Sequence, residues 1–191
     1  MDEGTRGHVE AITGGMFSGK SEELVRRLRR AAIARQKVQC FKPQADSRHD
    51  PELLVTRDNR ELRAVSVAGS AELRRRLEPE VEVVGIDEAQ FFDADLVPLV
   101  EELADAGVRV IVAGLDLDYL RRPFGPMPEL LARAEYVDKM HAVCVRCGAP
   151  ASFSQRIAGG GRQLEIGDTD AYEARCRRCY EAFQGEKTAG T

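Results

Sequence analysis

No apolar run in this chain approaches the roughly 20 residues that a membrane-spanning helix needs, so no membrane partner is expected. The opening stretch, MDEGTRGHVEA, carries no basic-then-apolar signal segment, and a cytoplasmic location is the expectation. Positive charge is not in excess: 28 Lys and Arg face 32 Asp and Glu, for a net charge of −4. That balance argues against a protein whose main task is gripping nucleic acid. There is no internal repeat and no low-complexity block. The three histidines, His8, His49 and His141, are scattered without ligand spacing and are assigned no role.

What is present fits a folded chain of 191 residues, 43% of them hydrophobic, enough for one ordinary domain plus a small module. Residues 8–13 and 38–43 read as strands, and 21–35 as a helix. Residues 46–69 are turn-rich and read as a loop with a short hairpin. A short helix is expected over 71–77, a buried strand over 81–86, a helix over 93–106 stopped at Gly107, and another buried strand over 108–115. A last helix over 128–134 and a strand over 136–143 complete the series. Apolar strands alternating with helices predict an α/β fold with a mostly parallel sheet. The expected division is 1–142 as a nucleotide-binding domain, 143–183 as a cysteine-bearing module, and 184–191 as a flexible tail.

The first chemical signal is GGMFSGKS, comprising Gly14, Gly15, Met16, Phe17, Ser18, Gly19, Lys20 and Ser21. It fits the phosphate-loop pattern G-x-x-x-x-G-K-[ST], in which glycines let backbone N–H groups face phosphate oxygens. Lys20 would reach the outer phosphates, and the Ser21 hydroxyl would ligate Mg²⁺. The match follows an expected strand and opens an expected helix, as the mechanism requires. The helix itself, EELVRRLRRAAIAR, is strongly basic. It reads either as a nucleic-acid face or as a solvated surface with Glu22 and Glu23 suited to its N-terminus; the acidic total charge favours the second.

The second signal is VEVVGIDEAQFF, in which an apolar strand delivers Asp87 and Glu88 side by side. In phosphate-loop enzymes an acid at a core strand's end helps hold Mg²⁺, and Asp87 fits that role. Successive strand side chains point to opposite sides, which frees Glu88 to face the phosphoryl acceptor. That acceptor is water in a hydrolase and a hydroxyl in a small-molecule kinase, where Glu88 would be the general base. The bland alternative is that both acids merely cap the next helix.

The third signal is CVRC and CRRC, with Cys144, Cys147, Cys176 and Cys179. Four thiolates in two C-x-x-C knuckles match a structural zinc site, with a redox dithiol as the competing reading. Twenty-eight residues separate the pairs, more than a compact ribbon needs, so an excursion must lie between them. Zinc is inferred from the ligand type; iron in the same site would look identical. Cys40 reads as a buried small residue.

Taken in order, MFSGKSEEL, IDEAQFF, GLDLDYLRRPFGPMPELL and the two knuckles resemble the type II thymidine kinases, the cellular family of bacteria and animals, and its bacterial branch most closely. The resemblance runs from about residue 8 to 183. It implies a RecA-like phosphate-loop domain and a small zinc domain whose long loop, a lasso, closes over the nucleoside. It further implies transfer of the ATP γ-phosphoryl group to the 5′-hydroxyl of thymidine, with Glu88 as catalytic base and Asp87 as the Mg²⁺-linked acid. Asp87, Glu88, Ala89 and Gln90 carry over as nucleotide-binding. Met16, Phe91, Leu115, Tyr119 and Phe124 match the residues around sugar and base, and Tyr172 matches the lasso tyrosine. Ser154 and the backbone of Glu165, Ile166 and Gly167 are implied to bond the pyrimidine edge. Asp46 and Arg48 resemble an Asp-x-Arg segment near the transfer site. For the aromatics the plain alternative is core packing, which is preferred for Phe92. Feedback inhibition by dTTP and a homotetramer are also implied.

Two departures stand out. Thr56-Arg57 stands where many relatives have Ser-His, a change without a physical account. Tyr119 stands where animal relatives have Phe, and its hydroxyl needs a partner or water. Beside the kinase reading stand an ATPase whose zinc module binds nucleic acid or a protein, and a non-catalytic nucleotide switch that would not need Glu88. The chain is short for a motor and acidic overall, which disfavours the ATPase.

Overall fold

The computed structural model describes residues 7–44, 54–55, 61–62, 64–157 and 171–181. The chain opens with β1 (His8–Gly14), α1 (Lys20–Ile33) and β2 (Val38–Pro43). A two-residue hairpin follows, β3 (Leu54–Val55) against β4 (Glu61–Leu62), then β5 (Ala64–Val67) and α2 (Ser70–Arg76). Next come β6 (Val83–Ile86), a 3-10 turn (Ala89–Phe91), α3 (Leu96–Asp105), β7 (Arg109–Gly114), α4 (Met127–Arg133) and β8 (Tyr136–Met140). The main sheet has the order β5-β2-β6-β7-β1-β8, and every pairing in it is parallel. The expected α/β fold is therefore present, with its strands all ending at one edge. Among the described residues no helix is long and apolar enough to cross a membrane.

Period-two alternation divides the core into two layers. Ile12, Val83, Ile111 and Ala113 point to one face, where α1 lays down Leu24, Leu28 and Ala31 at helical spacing. Ala11, Val84, Ile86, Val110 and Val112 point to the other, under α3 and α4 with Leu96, Leu99, Met127 and Leu130. Leu28 fits because β6 carries no side chain at Gly85; a Cβ there would lie 2.6 Å from Leu28 Cδ1.

One buried acid interrupts the α1 face. Glu10, 6% exposed, accepts from Arg27 at 2.6 Å and Arg109 at 2.5 Å. Burial pushes its carboxyl up, and the two guanidiniums more than offset that, holding it below the usual range. Arg27 also bonds Glu23 and Asp138, so part of the basic helix is committed to tying α1 to β1 and β8.

Three element expectations shift. The stretch 46–69 ends in β5, a full member of the sheet; four residues at a sheet edge give too little alternation to read from sequence. The expected helix over 93–106 begins at Leu96; just ahead of it the Asp93 carboxylate accepts from the Asp95 N–H and also from the Ser70 backbone N–H and hydroxyl, so it serves the start of α2 as well. The expected strand over 136–143 breaks at His141. Its last two residues form β9 (Ala142–Val143), paired antiparallel with β10 (Pro150–Ala151), while β11 (Phe153–Arg156) pairs with β12 (Tyr172–Arg175).

Leu28→Ala should cost about 2–5 kcal/mol and Gly85→Ala about 1–3 kcal/mol in urea unfolding. Because the two share one space, the double variant should lose less than the sum of the singles. Simple additivity would mean that Gly85 is not the seat of Leu28.

Candidate active site

The parallel strands end at one edge, and the chemical residues leave from three of them. After β1 the chain turns through Gly14 at φ +138°, where a Cβ would lie 2.3 Å from the Met140 carbonyl oxygen. Gly19, in the left-handed region at φ +82°, then starts α1. Within the loop the Ser18 hydroxyl and the Lys20 ammonium each donate to the Gly15 carbonyl at 2.8 Å. Phe17 stands outside, 53% exposed. The result is a curled backbone at the N-terminus of a 14-residue helix, an arrangement suited to anions.

β6 delivers the acids. The Ser21 hydroxyl donates to Asp87 Oδ1 at 3.2 Å, and that oxygen also takes the Glu88 backbone N–H at 2.9 Å. Burial, with the neighbouring Glu88 charge, pushes Asp87 up to about 6. A hydroxyl and a carboxylate side by side are hard oxygen donors, a set that fits magnesium. Glu88 has left-handed backbone, φ 49° and ψ 41°, which turns the chain sharply into the 3-10 turn. Its carboxylate accepts from Gln90 Nε2, and Gln90 Oε1 in turn accepts from the Leu115 N–H at 3.0 Å. One buried amide therefore ties the second acid to the segment after β7.

Burial pushes the Lys20 ammonium down. The charges of Glu88, Asp87 and Asp116, in that order, act against it without restoring its ordinary value. Asp116 is the member that sequence reasoning missed. It lies inside the quoted GLDLDYL block, but nothing local separates it from Asp118, which caps its own loop by accepting from the Leu120 and Arg122 N–H groups.

The apolar candidates gather on the side of Leu115. Phe91 and Phe124 meet edge to face, centroids 5.6 Å apart. Tyr119 is buried, with the Arg156 guanidinium 5.0 Å from its ring centre. Phe92 is in the core beneath, as preferred. Ser154 is buried against the phosphate loop and accepts from the Met16 N–H at 3.0 Å, so its own hydroxyl proton stays available to an acceptor. Tyr172 is half-buried on β12, opposite Arg156. Asp46, Arg48, Glu165, Ile166, Gly167 and the Thr56-Arg57 pair lie outside the described residues.

Cys144, Cys147, Cys176 and Cys179 converge with all four sulfurs within 4.8 Å of one another, close enough to hold one metal ion. Each pair closes a tight turn: Gly148 N–H returns to the Cys144 carbonyl, and Cys179 and Tyr180 N–H groups to that of Cys176. Backbone N–H groups lower the Cys176 thiol, whereas hydrogen bonds with Cys147 and Cys176 push Cys179 up to about 12. Four soft sulfurs in that reach suit a tetrahedral divalent ion. Cys40 is buried and far above its ordinary pKa, an inert position.

Residues 7–180 match the family model described as "Thymidine kinase". The chain is 52% identical to a thymidine kinase of Bdellovibrio bacteriovorus, over 93% of this chain and 87% of that one. It is 53% identical to one from a Rhodothermus species, over 93% and 83%, and 49% identical to one from Bacteroides thetaiotaomicron, over 95% and 90%.

Metal analysis of the purified chain should find about one divalent ion per molecule at the four sulfurs. Stripping it with a strong chelator, or substituting Cys179→Ser, should lower Tm by at least ~5 °C, since ~1 kcal/mol shifts a chain of this size by ~2–4 °C. An unchanged Tm in the metal-free protein would remove the metal from the structural account.

Proposed function

The chain belongs to the thymidine kinase family, and from that premise we propose that it moves the γ-phosphoryl group of ATP to the 5′-hydroxyl of thymidine, giving dTMP and ADP. The observation that carries this reading is the split between the two acids after β6. Asp87 is bonded to Ser21 of the phosphate loop, while Glu88, on left-handed backbone, has its carboxylate held by Gln90.

In the proposed reaction the backbone N–H groups of residues 17–19 and the Lys20 ammonium bind the phosphates. To do so, Lys20 exchanges its bond with the Gly15 carbonyl for a phosphate oxygen. Ser21 and Asp87 would hold Mg²⁺, which neutralises charge on the phosphates. Glu88 accepts the proton of the 5′-hydroxyl as that oxygen bonds to the γ-phosphorus, and the bond to the β,γ-bridging oxygen breaks to release ADP. Gln90 fixes the Glu88 carboxylate, so the base is aimed before the substrate arrives. Phe91, Leu115, Tyr119 and Phe124 would enclose the nucleoside and exclude water, which would otherwise accept the phosphoryl group. Met16, Ser154 and Tyr172 complete the proposed pocket with Asp46, Arg48 and residues 165–167, while Ala89 and Gln90 border the nucleotide. The cysteine site, read as zinc, is structural. The same reading includes feedback inhibition by dTTP, a homotetramer and a cytoplasmic setting.

Incubated with Mg–ATP and a nucleoside panel, the protein should form ADP and dTMP in equal amounts and only when thymidine is present. Glu88→Gln keeps the side chain's shape and should lower kcat by roughly 10²–10⁴-fold. Equal ADP release with and without nucleoside would overturn the kinase reading in favour of an ATPase.

A further inference from the structure

β7 lies between β6 and β1 in the sheet. A side chain just past its end therefore sits between the acids that follow β6 and the loop that follows β1. Asp116 occupies that position, two residues beyond Gly114, and is 8% exposed. Its Oδ2 accepts from Lys139 Nζ at 2.5 Å. Lys139 belongs to β8, on the far side of β1, in register with Thr13. The ion pair therefore reaches from β7 across β1 at the root of the phosphate loop. The other oxygen, Oδ1, is buried with no hydrogen-bond partner among the described residues.

A buried carboxylate oxygen left without a donor is costly, on the order of 1–3 kcal/mol. The nearby cations do not satisfy it: Lys139 is bonded to Oδ2, and Lys20 donates to the Gly15 carbonyl. A donor that arrives with what binds at this edge would satisfy it. Phosphate oxygens only accept. Magnesium keeps several of its waters when it binds through few protein ligands, and a metal-bound water is a strong donor. We propose that Asp116 is a positioning residue for the metal–nucleotide complex, its Oδ1 accepting a hydrogen bond from a magnesium-bound water while Lys139 holds the carboxylate in place. This rests on the kinase reading, since it takes a metal–nucleotide complex as the ligand.

The experiment is a binding titration with a non-hydrolysable, methylene-bridged ATP analogue, run with excess Mg²⁺ and again with EDTA, with no turnover involved. The readout is the ratio of the two affinities. Asp116→Asn keeps the shape and an acceptor for Lys139, and should lower the ratio about tenfold through the metal arm, the EDTA arm staying within about twofold. Should that variant not fold, Asp116→Asn with Lys139→Met also removes the ammonium left without its partner and should show the same fall in ratio. An unchanged ratio in a folded variant overturns the inference and reduces Asp116 to an anchor for Lys139, leaving the kinase reading intact. A wild-type protein that binds the analogue in neither arm overturns both.

Discussion

A buried ammonium has to be met by negative charge, and the edge of this sheet is arranged around that requirement. Lys20 loses most of its water, which pushes its proton affinity down; Glu88, Asp87 and Asp116 restore part of it. Each of these acids has a further partner, Asp87 on Ser21, Glu88 on Gln90 and Asp116 on Lys139. Without the lysine, Asp87 and Glu88 would stand side by side with only neutral partners, Asp87 deeply buried. Without the carboxylates, the lysine would tend to shed its proton and lose its use toward phosphate. Each side of the arrangement makes the other tenable.

The sheet order is what allows it. In a parallel sheet all strands finish at the same edge, so β1, β6 and β7 present their following residues together although they lie far apart in sequence. Gln90 then joins two of the three exits, using both ends of its amide between Glu88 and Leu115. Its surroundings are shaped to keep it there. A Cβ on Gly114 would lie 2.7 Å from Gln90 Oε1, and one on Gly125, at φ +52°, only 2.2 Å from the Gln90 carbonyl oxygen. Gly114 leaves room for the Gln90 amide and Gly125 for the Gln90 backbone, and that amide holds the second acid.

The parts legible in the sequence were those whose chemistry is local. A phosphate loop must be contiguous, because consecutive N–H groups form the cradle, and GGMFSGKS declares itself. The Asp87–Glu88 pair is odd enough on an apolar strand to demand a function, and paired C-x-x-C knuckles state their own coordination number. Contacts between distant segments stayed hidden. Asp116 meets Lys139 only because β7 and β8 flank β1, and Ser154 meets Met16 across 138 positions. Asp93 serves the start of its own helix through the Asp95 N–H, but its bonds to Ser70, 23 positions earlier, have no local signal. β5 was illegible for a different reason: its four residues gain their identity from pairing with β2, not from any pattern of their own.

The segment that carries the four cysteines has little apolar core of its own. Its buried cluster consists of Ala142, Cys144, Ala151, Ala174 and Cys176, side chains no larger than a thiol, and so little apolar surface gives weak hydrophobic stabilisation. A metal held at the four sulfurs would supply what that core lacks. Cys176 directly follows β12, whose register places Ala174 opposite Ser154 on β11. A slip of one residue would turn Ser154 to the other face and remove the acceptor from the Met16 N–H. On the other side, Tyr180, next to Cys179, donates to the Tyr119 carbonyl at 2.7 Å, and the Arg121 guanidinium lies 4.6 Å from the Phe153 ring centre. A metal at the four sulfurs would thus help fix a register, and that register sets a hydroxyl against the phosphate loop. A structural ion would thereby act on a loop that it does not touch.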